Sequence, residues 1–548
     1  MVLIDQDTKR IMEGCKERAR DHGLRFDDRT LEYVVTNRDL LELTPKLMIP
    51  TLYDYWVHDI ELLKERGRYE LYPNNPYETV INTRPAISFY NDNNPDWLNV
   101  LIFYHVLAHI DFFQNNQYFC NTWDDDFAGR ALSDKRLIAK LRSEKGRWVD
   151  YVIEFARGVD NLVGYHRELG KRDEHPRTGR SARLDYYFDV FLQSVKKVSV
   201  GEYIKELQRY NASTEQYGET GEDTFFADVI AENPEFESLL EKYLKRDEPP
   251  CADIMEYLMR HSPFLNRQEN EWMKSVLEVV RTTSLFFQPQ IRTKIMNEGW
   301  ASYWHEKLFL SDDRIKGHEV DFARIHAGIA ALPRVGMNPY ALGMRLFDYI
   351  EDLGNRGRYS FEFRRMLLHE EREKFDGNAG RGEELMFHIR RNFCDGLFLD
   401  TFLDQDFVDR HDLFVAGRRL VPERMVWEYY VKSRSAEEFR RMIADDLYHP
   451  PYLTIDESKN DNNTLYLVHH FEGKQLVTDY IANTMLGLEY LWGGPIRLET
   501  SEAVWRGPGG RVYHGTQPQA ETNREELELS WRRVLYTMKD RKLTRKNL

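Results

Sequence analysis

One stretch constrains the fold of this chain more than any other: residues 95–115, PDWLNVLIFYHVLAHIDFFQN. Read as a helix it is apolar on nearly every side, so it must be buried all round. Pro95 suits a helix start, where a missing N–H does no harm. The stretch also carries His105, His109 and Asp111, polar groups that burial penalises unless they find partners. No run in the chain stays apolar for the roughly 20 residues of a membrane helix. A helix of this kind therefore predicts a large helical core, and a chain of 548 residues, 42% of them hydrophobic, has the material to build one.

The rest of the pattern supports a mainly α fold: a large helical domain followed by a smaller α+β C-terminal module. Ile11, Cys15 and Ala19 recur at helical spacing, with Gly23 as a stop, and the first 45 or so residues read as helices. Residues 50–95 are rich in aromatic residues, Pro and Asn, which suggests turns and short extended pieces. Helices are expected over 135–170, from Ile254 to about Phe287 ending before Pro289, over KIMNEGWASYWHEKLFL, over DFARIHAGIAAL, and from Pro339 behind an Asn338 cap. Residues 171–183 read as a basic loop, 215–250 as acidic and partly irregular, and 371–382 as a flexible insert. PYLTID and TLYLVHHF alternate like strands around a polar turn and predict a hairpin. The expected division is 1–400 mostly helical, 401–510 α+β, and 511–548 a basic helical tail.

Composition excludes several classes. The formal net charge is −15, so a basic footprint for nucleic acid is missing. The four cysteines are scattered without a CxxC pair, against a disulfide framework or a cysteine zinc site. The N-terminus lacks the basic start and apolar core of a signal peptide, so a reducing cytoplasm is the expected setting. GxGxxG, GxxxxGK[ST] and GxSxG are all absent.

Two segments could carry chemistry. His105 and His109 stand at i and i+4, on one helix face and about 6 Å apart along the axis, a spacing that lets two imidazoles meet one ion, zinc above all. The alternative is a pair of hydrogen-bonded core histidines. The second segment is NEGWASYWH, with Glu298 and His305 seven positions apart, about 10.5 Å along a helix. One ion can hardly take both. The better division makes Glu298 the third ligand and places His305 in the outer shell or the substrate cleft. Asp111 is offset by about 200° from His109 and faces away from such a site. Glu78, on a separate segment, could approach as a base, as could Glu154 or Asp160. His318 and His326, eight apart, share a helical face, and either could steady an oxyanion. The candidate set is thus His105, His109 and Glu298 for the metal, with Glu78, Asp111, His305 and His326 for catalysis.

The layout resembles that of gluzincin-type zinc hydrolases, which use HExxH on one helix and a further Glu on another. NEGWASYW is similar to the NEGFA-like segment of their aminopeptidase branch, with Glu298 in the ligand position. HVLAH departs from it, because Val106 stands where the general-base Glu belongs. As a whole the chain resembles the SpoVR family, named for stage V sporulation protein R. The resemblance rests on YETVINTRPAISFYNDNN, AHIDFFQNN, PQIRTKIMNEGWASYWH, MNPYALG and LYLVHHFEG…YLWGGPIRLET, in family order. Gln114, where a Lys is usual, and Gly494, within the usual LWGRP, depart from the pattern. The resemblance implies a role in spore cortex formation, or in stationary-phase stress in non-sporulating bacteria. It also implies partners, a PrkA-type serine protein kinase and a von Willebrand A-like protein. Two readings follow: a zinc-dependent hydrolase, or a non-catalytic regulator or scaffold acting with those partners.

Overall fold

A computed structural model describes residues 2–4, 6–36, 78–92, 94–122, 127–164, 182–196, 198, 200–244, 251, 253–313, 316–421, 426–447, 449–460, 463–506, 512–514 and 528–548. The fold is mainly α, with small sheets. Two compact units separate: 1–165 with 258–548, and 166–257. The helical part and the C-terminal α+β part, expected to divide near residue 400, lie in the same unit. No helix among the described residues is long and apolar enough to cross a membrane.

The first unit begins with β1 (Val2–Leu3) and α1 (Gln6–Asp21). Helix α1 stops where Gly23 takes a φ of 90°, a conformation that favours glycine. The helical expectation for the first 45 residues fails next: Thr30–Val35 is strand β2, where alternation and β-branched side chains prevail over helix propensity. With β3 (Glu78–Ile81) and β4 (Ala86–Asn91) it forms a sheet ordered β1-β2-β4-β3, parallel between β2 and β4. The expected turns of residues 50–77 lie outside the described residues.

Helix α2 (Asp96–Asn115) is the predicted buried helix, and every residue from 101 to 113 is buried. Each large apolar side chain there contributes roughly 1.5–3 kcal/mol. The single helix read over 135–170 is two, α3 (Phe127–Lys145) and α4 (Trp148–Arg157). Helix α5 (Glu271–Arg292) runs through Pro289 instead of ending before it. The proline forgoes the bond its N–H would have made to the Leu285 carbonyl, but the helix ends within one turn, and Thr293 Oγ1 donates to the Pro289 carbonyl at 2.7 Å. Helix α6 (Lys294–Leu310) carries the NEGWASYWH segment, followed by α7 (Glu319–Ile329) and α8 (Pro339–Arg356). Asn338 caps α8 as expected, accepting from the Tyr340 and Ala341 N–H groups.

Helices α6 and α8 cross at two glycines. A Cβ on Gly299 would meet the Gly343 backbone at 2.3 Å, and one on Gly343 would meet the Ile295 carbonyl oxygen at 2.2 Å. Backbone-to-backbone approach of this kind admits no side chain. The insert at 371–382 is ordered against α8: Gly377 N–H donates to Arg356 O at 2.8 Å and Gly380 N–H to Asn355 O at 3.0 Å. It leads into α9 (Gly382–Asn392) and α10 (Asp395–Phe402).

The C-terminal part holds the hairpin β5 (Val415–Val421) and β6 (Val426–Ser433), then α11 (Ala436–Asp446). The predicted hairpin is β7 (Tyr452–Ile455) and β8 (Leu465–His470), antiparallel. Helix α12 (Thr478–Trp492) crosses over to β9 (Ile496–Arg506), parallel to β8. The tail corrects the expectation of a basic helix. After β10 (Val512–His514), which pairs with β9, the chain forms β11 (Glu528–Lys539) and β12 (Lys542–Asn547), joined at Asp540 and Arg541, both at positive φ. Val534, Tyr536 and Met538 are buried at period two, with Arg533 and Lys539 flanking the run, and that alternation decides for a strand.

The second unit packs Tyr186, Tyr187, Phe191, Phe225, Phe226 and Phe236 into one aromatic cluster. Helices at Val200–Tyr217, Gly221–Glu232 and Phe236–Leu244 take up most of the acidic segment, expected to be partly irregular, as far as residue 244. Most of the basic loop of 171–183 lies outside the described residues.

Candidate metal centre

Helices α2 and α6 bring the two segments together. His105 and His109 share one face of α2, and Glu298 faces them from the first turns of α6. The ligand-type atoms of these three residues all lie within 4.8 Å of one another. Glu298 Oε2 is 3.6 Å from His109 Nε2 and 4.0 Å from His105 Nε2. Two ligands about 2.1 Å from a tetrahedral ion stand about 3.4 Å apart, so the donor set fits with small movements. Two imidazole nitrogens and a carboxylate oxygen suit zinc among divalent ions.

The supports are built from the same helices. Asn297 Oδ1 lies 2.9 Å from His109 Nδ1, and as an acceptor it leaves the Nε2 lone pair facing Glu298. Such outer contacts orient ligand histidines. His105 Nδ1 meets His305 Nδ1 at 2.8 Å, so His305 stands outside the cluster, behind His105. His305 Nε2 meets His326 Nδ1 at 3.0 Å, and His326 Nε2 lies 3.7 Å from Glu306 Oε1. Burial holds the His305 pKa well below the usual imidazole value, with the neighbouring histidines adding to the effect. Burial also lowers that of His326, helped by Arg345.

Helix α6 is fixed from outside its own sequence. Thr293 provides no side-chain cap, and the Asp395 carboxylate on α10 accepts from the Ile295 and Met296 N–H groups at 2.8 and 2.9 Å instead. Burial pushes the Asp395 carboxyl up to about 7 despite those hydrogen bonds.

The other expected residues fall elsewhere. Asp111 points away from the cluster, as its helical offset requires. It is fully buried, accepts from Arg25 N–H at 2.7 Å and Trp300 Nε1 at 2.9 Å, and pairs with Arg390 at 3.4 Å. It ties α2 to α6 and α9. Glu78 heads β3, and its side chain lies outside the described residues. Glu154 pairs with Arg157, and Asp160, pushed up to about 6 by burial, lies just past α4. His318 precedes α7 rather than sharing it with His326, and stacks on Trp97 at 5.6 Å. Sequence reasoning did not single out Asn297, Glu306 or Asp395. The first two adjoin residues that it did single out, whereas Asp395 gives no local signal.

A sequence profile described as SpoVR like protein matches residues 5–449. The chain belongs to the SpoVR family. All residues of the candidate centre fall inside the SpoVR match, whereas the LYLVHHFEG and YLWGGPIRLET blocks lie beyond residue 449. A curated relative, "Uncharacterized protein YcgB" of Escherichia coli (strain K12), is 25% identical over 337 residues, which span 58% of this chain and 58% of that protein. The chain thus spans less than two thirds of that relative's length. No solved structure matches.

Proposed function

We propose that this SpoVR-family chain is a zinc protein, held by His105, His109 and Glu298, that hydrolyses an amide bond in a peptide or peptidoglycan-like substrate. One observation carries the reading: three ligand-type atoms from two buried helices gather within 4.8 Å. Zinc supplies Lewis acidity to a carbonyl oxygen and acidifies water. Asn297 orients His109, and His305 orients His105. Fully buried Val106 offers no proton acceptor where gluzincin-like hydrolases carry Glu, so the base differs from theirs. His326, behind His305 and only partly buried, is the outer histidine that could exchange protons with solvent. The process, spore cortex formation or stationary-phase stress, comes with the SpoVR resemblance, and a cytoplasmic setting with the scattered cysteines.

Thermal unfolding with zinc and with chelator tests the reading. Zinc at 100 times its Kd adds about 2.7 kcal/mol of stability, and chelator removes it. Unchanged unfolding under both conditions sinks the reading. A retained centre with no chelator-sensitive hydrolysis of amide substrates sinks the hydrolase part alone.

The scaffold reading has one surface in its favour. Strand β6 exposes Trp427, Tyr429 and Tyr430, at 57%, 56% and 45%. Exposed aromatic residues are enriched at protein interfaces. The PrkA-type kinase and the von Willebrand A-like protein are the partners to test. Capture of either by the wild type, lost in a Trp427→Ser/Tyr429→Ser variant, supports this reading, and no capture at micromolar concentration removes it.

A further inference from the structure

The row His105, His305, His326 and Glu306 reaches beyond the ligands. A neutral imidazole carries one N–H, so each link fixes the next. For His105 to offer its Nε2 lone pair, its proton must sit on Nδ1 and point at His305 Nδ1, 2.8 Å away. His305 must then accept on Nδ1 and donate from Nε2 to His326 Nδ1, 3.0 Å away. His326 in turn carries its proton on Nε2, which faces Glu306 Oε1 at 3.7 Å, an electrostatic contact longer than a hydrogen bond. The opposite polarity directs the His105 Nε2 proton at Glu298 and the His326 Nε2 lone pair at Glu306. A carboxylate stands at each end, and the two compete for the direction of the row. A cation beside Glu298 removes one competitor.

We propose that Glu306, acting through His326 and His305, is a positioning residue that sets the tautomer of His105 and so presents Nε2 at the candidate centre. The inference deepens the zinc reading and rests on it for its consequence, although the tautomer row exists in the metal-free chain as well. Arg345 and Asp348 are the other charged groups that act on the outer end: Asp348 pushes the Glu306 carboxyl up alongside burial, and Arg345 opposes the rise. Both come from α8, so the helix whose glycine sets the α6 crossing also sets this charge balance.

The test uses the full chain, wild type and the Glu306→Gln and His326→Phe variants, with cobalt(II) as the probe. Cobalt affinity is read from its visible absorption, and imidazole tautomers from nitrogen-15 spectra of histidine-labelled protein. The expected result is an affinity loss of about 10-fold or more in both variants, with a changed absorption envelope and a shifted His105 tautomer. His326→Asn, which keeps a polar atom near the Nδ1 position, should recover part of the affinity. Unchanged affinity and unchanged tautomers in a folded variant overturn the inference. If the wild type binds no cobalt, the zinc reading fails by itself. The nitrogen-15 comparison then decides the inference, a Glu306-dependent tautomer at His305 and His326 supporting it and identical spectra ending it.

Discussion

Two regions bury polar groups, and they do so differently. In the C-terminal sheet the carboxylates of buried Glu502 and half-buried Glu499 meet cations and hydroxyls. Arg545 Nε lies 2.9 Å from Glu502, which also accepts from the Tyr536 hydroxyl. Glu499 accepts from Arg533 at 2.9 Å and from the Tyr466 hydroxyl at 2.8 Å. His469 meets the Thr500 hydroxyl at 2.8 Å. At the crossing of α2 and α6, a carboxylate faces two imidazole nitrogens, and the far side of each ring is held by Asn297 or His305. The first arrangement is complete within the chain. The second turns two ring nitrogens and a carboxylate oxygen towards one another, a donor set that suits a cation. Burial is shared by the two regions, and the direction of the donors separates them.

The largest expected effect breaks the helix crossing itself. Gly343→Val drives a side chain into the Ile295 carbonyl and should destabilise the chain by more than about 4 kcal/mol. A folded variant with wild-type denaturant resistance would mean that the crossing is looser than it looks. Next comes Asp111→Ala, which leaves the buried Arg390 without its carboxylate and should cost roughly 3–5 kcal/mol. It should lower stability equally with and without zinc, since Asp111 ties helices and does not face the cluster. Arg545→Ala should cost about 2 kcal/mol, less than a fully buried pair because the arginine is about a third exposed. Added zinc should not rescue it, which sharpens the contrast between a paired glutamate and Glu298.

A smaller effect belongs to Asn297→Ala. Calorimetric titration should show zinc affinity about 10–100-fold weaker with the fold kept. Wild-type affinity would remove Asn297 from the support of His109. The smallest concerns acid stability of the sheet. Burial, with Arg533 nearby, pulls the His469 pKa from 6.5 to about 4 in the fold. The unfolded chain then binds the extra proton more readily, so stability is lost as pH falls from about 6.5 to about 4. His469→Gln should flatten that part of the pH curve, and parallel curves would contradict the assignment.

Much of this was legible in the residues, for physical reasons. The uniform apolarity of 95–115 required burial, and its i, i+4 histidines required a common face. The seven-residue gap in NEGWASYWH separated Glu298 from His305, and the structure puts them on different sides of His105. Where expectation failed, long-range contacts decided. Strand β11 carries its alternation between basic residues, β12 shows none, and pairing of β11 with β9 and of β12 with β11 supplies what local propensity does not. The Asp395 cap lies a hundred residues from the helix that it caps, so no spacing rule reaches it. Gly299 and Gly343 explain themselves only when the two helices touch.

The most direct test of the central claim is elemental analysis of freshly purified protein, wild type beside a His105→Ala/His109→Ala/Glu298→Ala variant. The account predicts about one zinc or other divalent ion per wild-type chain and none in the folded variant. No metal in either protein, with both folded, would contradict it and make the histidines part of the core alone.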